Sequence, residues 1–274
     1  MLTLEAAIGL DDQHAQINHT VIQMNRLQNK VAIITGGSSG IGLATAKEFI
    51  AEGATVLITG RNQELLDQIT AELGEKAYSI VWDASIPGNS GHLSAFVQAN
   101  FSSIDILFVN AGVAKFAPFE NMSEAIFDES VNTNVKGAYF TIQALVPFFK
   151  NGGSIILNTS INAHVGAPGA SVYAATKGAL LTMAKNLSTE LITHHIRVNA
   201  ISPGPIDTSL HSAAKLGISD QQLTQMNQGI IKAIPLGRFG RPEEIARVAL
   251  FFASDDSSFV VGAELIVDGG MSMG

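Results

Sequence analysis

The sequence contains no cysteine, a single tryptophan and few charged residues, which make up 15% of its 274 positions. Without cysteine there is neither a disulfide framework nor a thiolate metal site, and no metal is expected; such a chain suits a reducing cytoplasm, the compartment we expect. Long hydrophobic runs are also missing. Apolar stretches such as Val248 to Ala253 fall far short of the roughly 20 residues that span a bilayer, so no membrane partner is expected. Lys and Arg number 16 against 24 Asp and Glu, a formal net charge of −8. Phosphate backbones are held by clustered cations, and no nucleic-acid partner is expected. A secretory start is absent too, because residues 1–23 have no basic opening and Asp11 and Asp12 interrupt their apolar positions. We read 1–23 as an N-terminal extension, not native or not ordered, ahead of a domain over 24–274. A short helix packed on a neighbouring subunit is the competing reading.

What the chain does have is 46% hydrophobic residues, enough for a sizeable core, arranged in an alternating rhythm. Val31–Thr35, Ala54–Thr59, Ala77–Trp82, Ile104–Val109, Ser154–Asn158, Ile196–Ile201 and Glu264–Val267 read as seven strands. Ile41–Ala51, Gln63–Leu73 and Leu93–Ala99 have helical spacing between them. Strands apolar on both faces, alternating with helices, imply a parallel sheet covered on both sides. The expected fold is α/β, a single doubly wound domain with a seven-stranded parallel sheet.

After the first strand comes Thr35-Gly36-Gly37-Ser38-Ser39-Gly40-Ile41-Gly42, opening a helix. Glycine permits the tight turn and lets backbone N–H groups approach a pyrophosphate, and the helix N-terminus adds a favourable dipole. A glycine-rich turn alone is weak evidence; a strand before it and a helix and second strand after it make it a dinucleotide site of Rossmann type.

The spacing T-G-x-x-x-G-x-G resembles the short-chain dehydrogenase/reductase family, and further motifs agree. Asn110-Ala111-Gly112 follows the fourth strand, and Asn134 sits in Asn134-Val135-Lys136-Gly137. Ser160 follows the fifth strand, Tyr173 lies 13 residues on and Lys177 four beyond that. Ser202-Pro203-Gly204 follows the sixth strand, and Val267-Asp268-Gly269-Gly270 lies near the chain end. The resemblance covers roughly residues 27–270. It implies a catalytic set of Asn134, Ser160, Tyr173 and Lys177, and a cofactor held by Gly36, Ser38, Ser39, Gly40, Ile41, Gly42, Asn110, Ala111 and Gly112. Pro203, Gly204, Ile206 and Thr208 would lie around the nicotinamide, with Asp83 at the adenine ring or merely capping a turn. It further implies a homotetramer, or a dimer, built on the helices carrying Asn134 and Tyr173.

Which dinucleotide is bound is read at the end of the second strand, where an acid selects the ribose 2′-OH and an arginine the 2′-phosphate. The segment runs Ile58-Thr59-Gly60-Arg61-Asn62 with no acid at the strand end. Arg61 offers a fork of donors to phosphate, Ser38 and Asn62 assist, and NADP(H) is expected over NAD(H), with Glu64 the one nearby residue that argues otherwise.

Tyr173 and Lys177, four apart among good helix formers, share a helical face. Tyrosine ionises near 10 when unperturbed, and a neighbouring ammonium should lower that value. In the resembling family the tyrosine is the general acid or base, the lysine tunes it and bonds the nicotinamide ribose, the serine bonds the substrate oxygen, and the asparagine holds a relay water. His194 and His195 are read as solvated, and His164, four after Ser160, as a bystander or a substrate contact. No G-x-S-x-G elbow supports a hydrolase. The expectation is therefore an oxidoreductase acting on a small-molecule carbonyl or alcohol. Pro235 to Ile245 resembles 3-oxoacyl-carrier-protein reductases, but Ala170-Ser171-Val172 departs from their pattern and favours a generic alcohol or sugar-type dehydrogenase. A non-catalytic NADP(H)-binding regulator is the alternative of another class. Ser209 to Ile234 is expected to form a lid that sets substrate choice.

Overall fold

The computed structural model describes residues 25–86, 88–150, 152–208 and 218–273. The extension read over 1–23 and the first part of the expected lid, 209–217, lie outside the described residues. The chain runs through β1 (Val31–Ile34), α1 (Gly40–Ala51), β2 (Thr55–Gly60), α2 (Gln63–Leu73), β3 (Ala77–Val81), α3 (Ser90–Asn100) and β4 (Ile106–Val109). It continues with α4 (Glu124–Val131), a π-helical turn over Asn132–Gly137, α5 (Ala138–Leu145), β5 (Gly153–Asn158), α6 (Ser171–Glu190) and β6 (Ile196–Pro203). It closes with α7 (Asp220–Ala233), α8 (Pro242–Ala253) and β7 (Glu264–Val267). Every strand pairing is parallel, in the order β3-β2-β1-β4-β5-β6-β7.

Alternate strand residues explain the continuous apolar runs. Ile33, Leu57, Leu107, Ile155 and Val198 face α3, α5 and α6 on one side of the sheet. Their neighbours Ile34, Ile58, Phe108, Ile156 and Ile201 face α1, α2 and α8 on the other. Each such side chain contributes about 1.5–3 kcal/mol by leaving water, so both layers are needed to hold the sheet.

Local signals start and stop the helices as their chemistry requires. The Asn62 side chain accepts from the Leu65 N–H at 2.9 Å, capping α2, and Gly74 ends it with φ +86°. Ser219 and Gln222 form a reciprocal capping box on α7. The sixth strand runs two residues further than its apolar pattern, taking in Ser202 and Pro203; Pro203, with no N–H, stands opposite Val267 while the Gly204 N–H donates to the Val267 carbonyl at 2.9 Å. The strand order reverses between β1 and β4, where the chain has wound one way from β1 and then returns the other. A crevice opens there beyond the carboxyl ends of the strands.

Candidate active site

The crevice is built by hydrogen bonds at the strand ends. Thr35 Oγ1 accepts from the Asn110 and Ala111 N–H groups at 2.9 and 3.0 Å. Asn110 Nδ2 donates to the carbonyls of Thr35 and Gly36 at 3.0 and 3.1 Å, and Asn158 Nδ2 donates to Asn110 Oδ1 at 2.8 Å. The ends of β1, β4 and β5 are thereby stitched together by two asparagines and a threonine. Gly36 turns with φ +65°, and a Cβ on Gly42 would lie 2.2 Å from the Gly36 oxygen. Gly42 therefore permits the turn to lie against α1 and does not itself face the crevice.

The turn leaves the N-terminus of α1 with no side-chain cap on its free N–H groups and no acidic residue in its first turn. These donors and the helix dipole point an anion site into a cleft of about 550 Å³. Gly36, Ser38, Ser39, Gly40 and Ile41 line its floor, with Arg61 and Asp83 toward one end. Ala111, Gly112, Pro203, Gly204, Ile206 and Thr208 line it further along. A Cβ on Gly40 would sit 3.2 Å from Thr208 Cγ2, so the loop after β6 closes directly over the phosphate turn. The uncapped helix end and the glycine cradle fit a dinucleotide. Two residues assigned to it are otherwise engaged. Asn62 spends its side-chain oxygen on capping α2 and does not line the cleft, and Asp83 Oδ1 accepts from Ser85 N–H and Oγ at 2.8 and 2.7 Å.

Ser160, Tyr173 and Lys177 meet on the wall of the same cleft. Lys177 and Tyr173 lie on α6, Ser160 directly after β5. Lys177 is buried and its Nζ donates to the Asn158 carbonyl at 2.7 Å, standing 5.7 Å from the Tyr173 ring centroid. Burial lowers its pKa to about 8. Tyr173 differs from expectation. Its pKa is raised by burial, with the Ser160 hydroxyl hydrogen bond acting in the opposite direction. The ammonium stands over the ring and is spent on a carbonyl, so desolvation governs the phenol.

Asn134 lies beside the cleft wall, in the π-helical turn between α4 and α5. Its Oδ1 accepts from the Val113 N–H at 2.8 Å, and Nδ2 donates to the Val113 carbonyl at 2.9 Å and to Thr176 Oγ1 at 3.0 Å. It thus holds the β4–α4 connection against the turn of α6 carrying Tyr173. Two contributors escape a motif reading. Asn158 supplies both the lysine's acceptor and a link to Asn110, and its Oδ1 is buried without a partner; its only sequence signal is a polar residue ending an apolar strand. Phe116 packs at 5.5 Å between ring centroids on Tyr173, with nothing in its flanks to mark it. His194 and His195 are exposed, and His164 bonds Glu264 and does not line the cleft. Among the described residues no group of His, Asp and Glu is placed to hold a metal ion, and no helix is long and apolar enough to cross a membrane.

A doubly wound sheet with an anion-binding turn and a Ser–Tyr–Lys cluster at its switch point defines an oxidoreductase that uses a nicotinamide dinucleotide. Residues 36–272 match the family model described as enoyl-(acyl carrier protein) reductase. Among relatives, the chain is 37% identical over 251 residues to the 3-oxoacyl-[acyl-carrier-protein] reductase of Thermotoga maritima, covering 90% of this chain and 99% of that one. It is 38% identical over 254 residues to the 3alpha-hydroxysteroid dehydrogenase of Mediterraneibacter gnavus, covering 89% and 97%. A solved short-chain type dehydrogenase/reductase from Mycobacterium marinum superposes with a TM-score of 0.83 at 32% identity, covering 92% and 99%. The chain belongs to the short-chain dehydrogenase/reductase family and is an enzyme acting on a small-molecule substrate.

Proposed function

We propose that this enzyme interconverts a carbonyl and a secondary alcohol with NADP(H) in preference to NAD(H), Tyr173 exchanging the proton. The observation that carries the reading is the meeting of Ser160, Tyr173 and Lys177 on the wall of a cleft floored by the uncapped end of α1. Bound nicotinamide supplies or accepts the hydride. Ser160 orients the substrate oxygen and stabilises charge developing on it. Tyr173 gives that oxygen a proton in reduction and removes it in oxidation. Lys177 holds the nicotinamide ribose and assists the phenol, and Asn134 fixes the segment that frames the relay. Phe116, Val165, Ala167 and Ile230 give the substrate end an apolar lining, which suits a carbonyl compound with an apolar body.

Tyr173→Phe should abolish turnover in an NADPH-consumption assay over a panel of carbonyl compounds while leaving NADPH binding intact. Surviving activity overturns the mechanism; a binding-only protein would show no turnover in the wild type either. The NADP(H) preference rests on Arg61, exposed at the end of β2 on the cleft with no acid at the strand end. Hydrogen bonds to a charged group are worth about 1.5–3 kcal/mol, so Arg61→Ala should lower kcat/KM for NADPH about tenfold or more and barely alter that for NADH. Equal loss with both overturns the preference. Reduction of a 3-oxoacyl-carrier-protein is the narrower reading, favoured by the Thermotoga relative; the excess of acid on this chain opposes docking of an acidic carrier. We assign the enzyme to the cytoplasm as a homotetramer.

A further inference from the structure

The loop that carries Ser160 is held at both ends by one carboxylate on the outermost strand. Ser160 is followed by a short 3-10 turn over Ile161–Ala163, and its Oγ accepts from the Asn162 N–H at 3.2 Å. The direction of the serine hydroxyl therefore depends on where that turn begins and ends. Thr159 precedes it and His164 follows it, the His164 N–H donating to the Ile161 carbonyl at 2.8 Å.

Both flanking residues lead to Glu264 at the start of β7. His164 Nε2 lies 2.5 Å from Glu264 Oε1. On the other side, Ser202 Oγ donates to the same Oε1, and Thr159 Oγ1 meets Ser202 Oγ. Thr159 is tied to β6 by its N–H and its hydroxyl, both of which donate to the Ile201 carbonyl at 2.8 Å. Ser202, in contact with Thr159, donates its proton to Glu264, and the His164 ring meets the same carboxylate oxygen from the other side. One carboxylate oxygen is thus the meeting point of two side chains, each leading to one end of the serine turn. Thr159 and Ser202 are buried and Glu264 nearly so, with 15% of its side chain exposed. Water does not freely replace the bonds on the Thr159–Ser202 side, His164 being the solvent-facing member of the cluster, and charge-assisted bonds are about twice as strong as neutral ones.

We propose that Glu264 and His164 are positioning residues: together they clamp the Ser160 turn and so aim its hydroxyl at the substrate oxygen and at Tyr173. Neither touches the cleft. The inference rests on the proposed role of Ser160, and it adds that the aim of this serine is set from the edge strand. Rigid support of this type matters because a misplacement of about 1 Å at a reacting group costs about a hundredfold in rate.

The test compares Glu264→Ala, Glu264→Gln and His164→Ala with the wild type, all as full chains with NADPH and one carbonyl substrate from the panel. Glu264→Ala and His164→Ala should lower kcat about tenfold or more, leave the KM for NADPH unchanged and combine non-additively in the double variant. Glu264→Gln keeps an acceptor oxygen of the same reach and should restore kcat to within about threefold of wild type. Amide hydrogen exchange should quicken over residues 159–165 in the alanine variants and stay unchanged in α1. A kcat within about twofold of wild type in Glu264→Ala overturns the clamp, as does a parallel loss of NADPH affinity. Failure of the serine's own role would show differently, as full activity in Ser160→Ala.

Discussion

Lys177 has its ammonium in the protein interior with one acceptor, the Asn158 carbonyl. Its pKa in the folded chain, about 8, lies below the 10.5 it has when unfolded. Between these values the unfolded chain holds a proton that the folded chain releases, so stability rises with pH across that window. Below about 8 the burial of the charge costs the fold about 3 kcal/mol, and above 10.5 the cost is gone. Lys177→Met should therefore abolish turnover yet be more stable than wild type at pH 7, by about 1–2 kcal/mol once the lost hydrogen bond is counted. The advantage should shrink as pH approaches 10. Thermal melts of the two proteins without cofactor at both pH values check this, and an advantage independent of pH would contradict it. The same site shows what spacing alone conceals. Tyr173 and Lys177 four residues apart were legible as one helical face, but not that the ammonium would turn to a carbonyl and leave the phenol to desolvation.

At the scale of elements, identical substitutions have opposite outcomes according to what surrounds the glycine. A Cβ on Gly42 would lie 2.2 Å from the Gly36 oxygen and 2.7 Å from Asn110 Nδ2, whereas one on Gly229, in the middle of α7, would meet nothing within 4 Å. Gly42→Ala should displace the turn from α1, costing about 1–3 kcal/mol and weakening NADPH binding. Gly229→Ala should add about 0.5–1 kcal/mol by restricting the unfolded chain. Urea denaturation with a cofactor titration tests both, and equal effects from the two would refute the steric argument. The strands and the first helices were readable to within about three residues, because a sheet buried on both faces leaves uninterrupted Val, Ile and Leu. The π-helical turn over Asn132–Gly137 was not, since slipping the hydrogen-bond ladder by one residue leaves no mark in composition. Nor was the pairing of His164 with Glu264, 100 positions apart, which only the closing of the sheet by β7 brings about.

At the scale of the whole molecule, the described surface carries two apolar areas that a lone chain leaves in water. Phe127 of α4 and Tyr139 and Phe140 of α5 are exposed on the helices covering one face of the sheet. Leu265 and Ile266 are exposed on β7, with Phe259 and Val261 just before it. If each patch pairs with its own copy, two twofold axes result, and two such axes close the proposed homotetramer. A charge placed in either patch would be desolvated on association, at a cost large enough to open that interface and leave the other. Phe140→Asp should therefore yield dimers joined through β7, and Leu265→Asp dimers joined through α4 and α5. The double variant should be monomeric, with the masses read by light scattering after size exclusion. Because Glu264 neighbours Leu265, the Leu265→Asp dimer should also lose kcat through the Ser160 turn, while the Phe140→Asp dimer keeps it. A wild type that runs with the mass of one chain would sink the assembly argument outright.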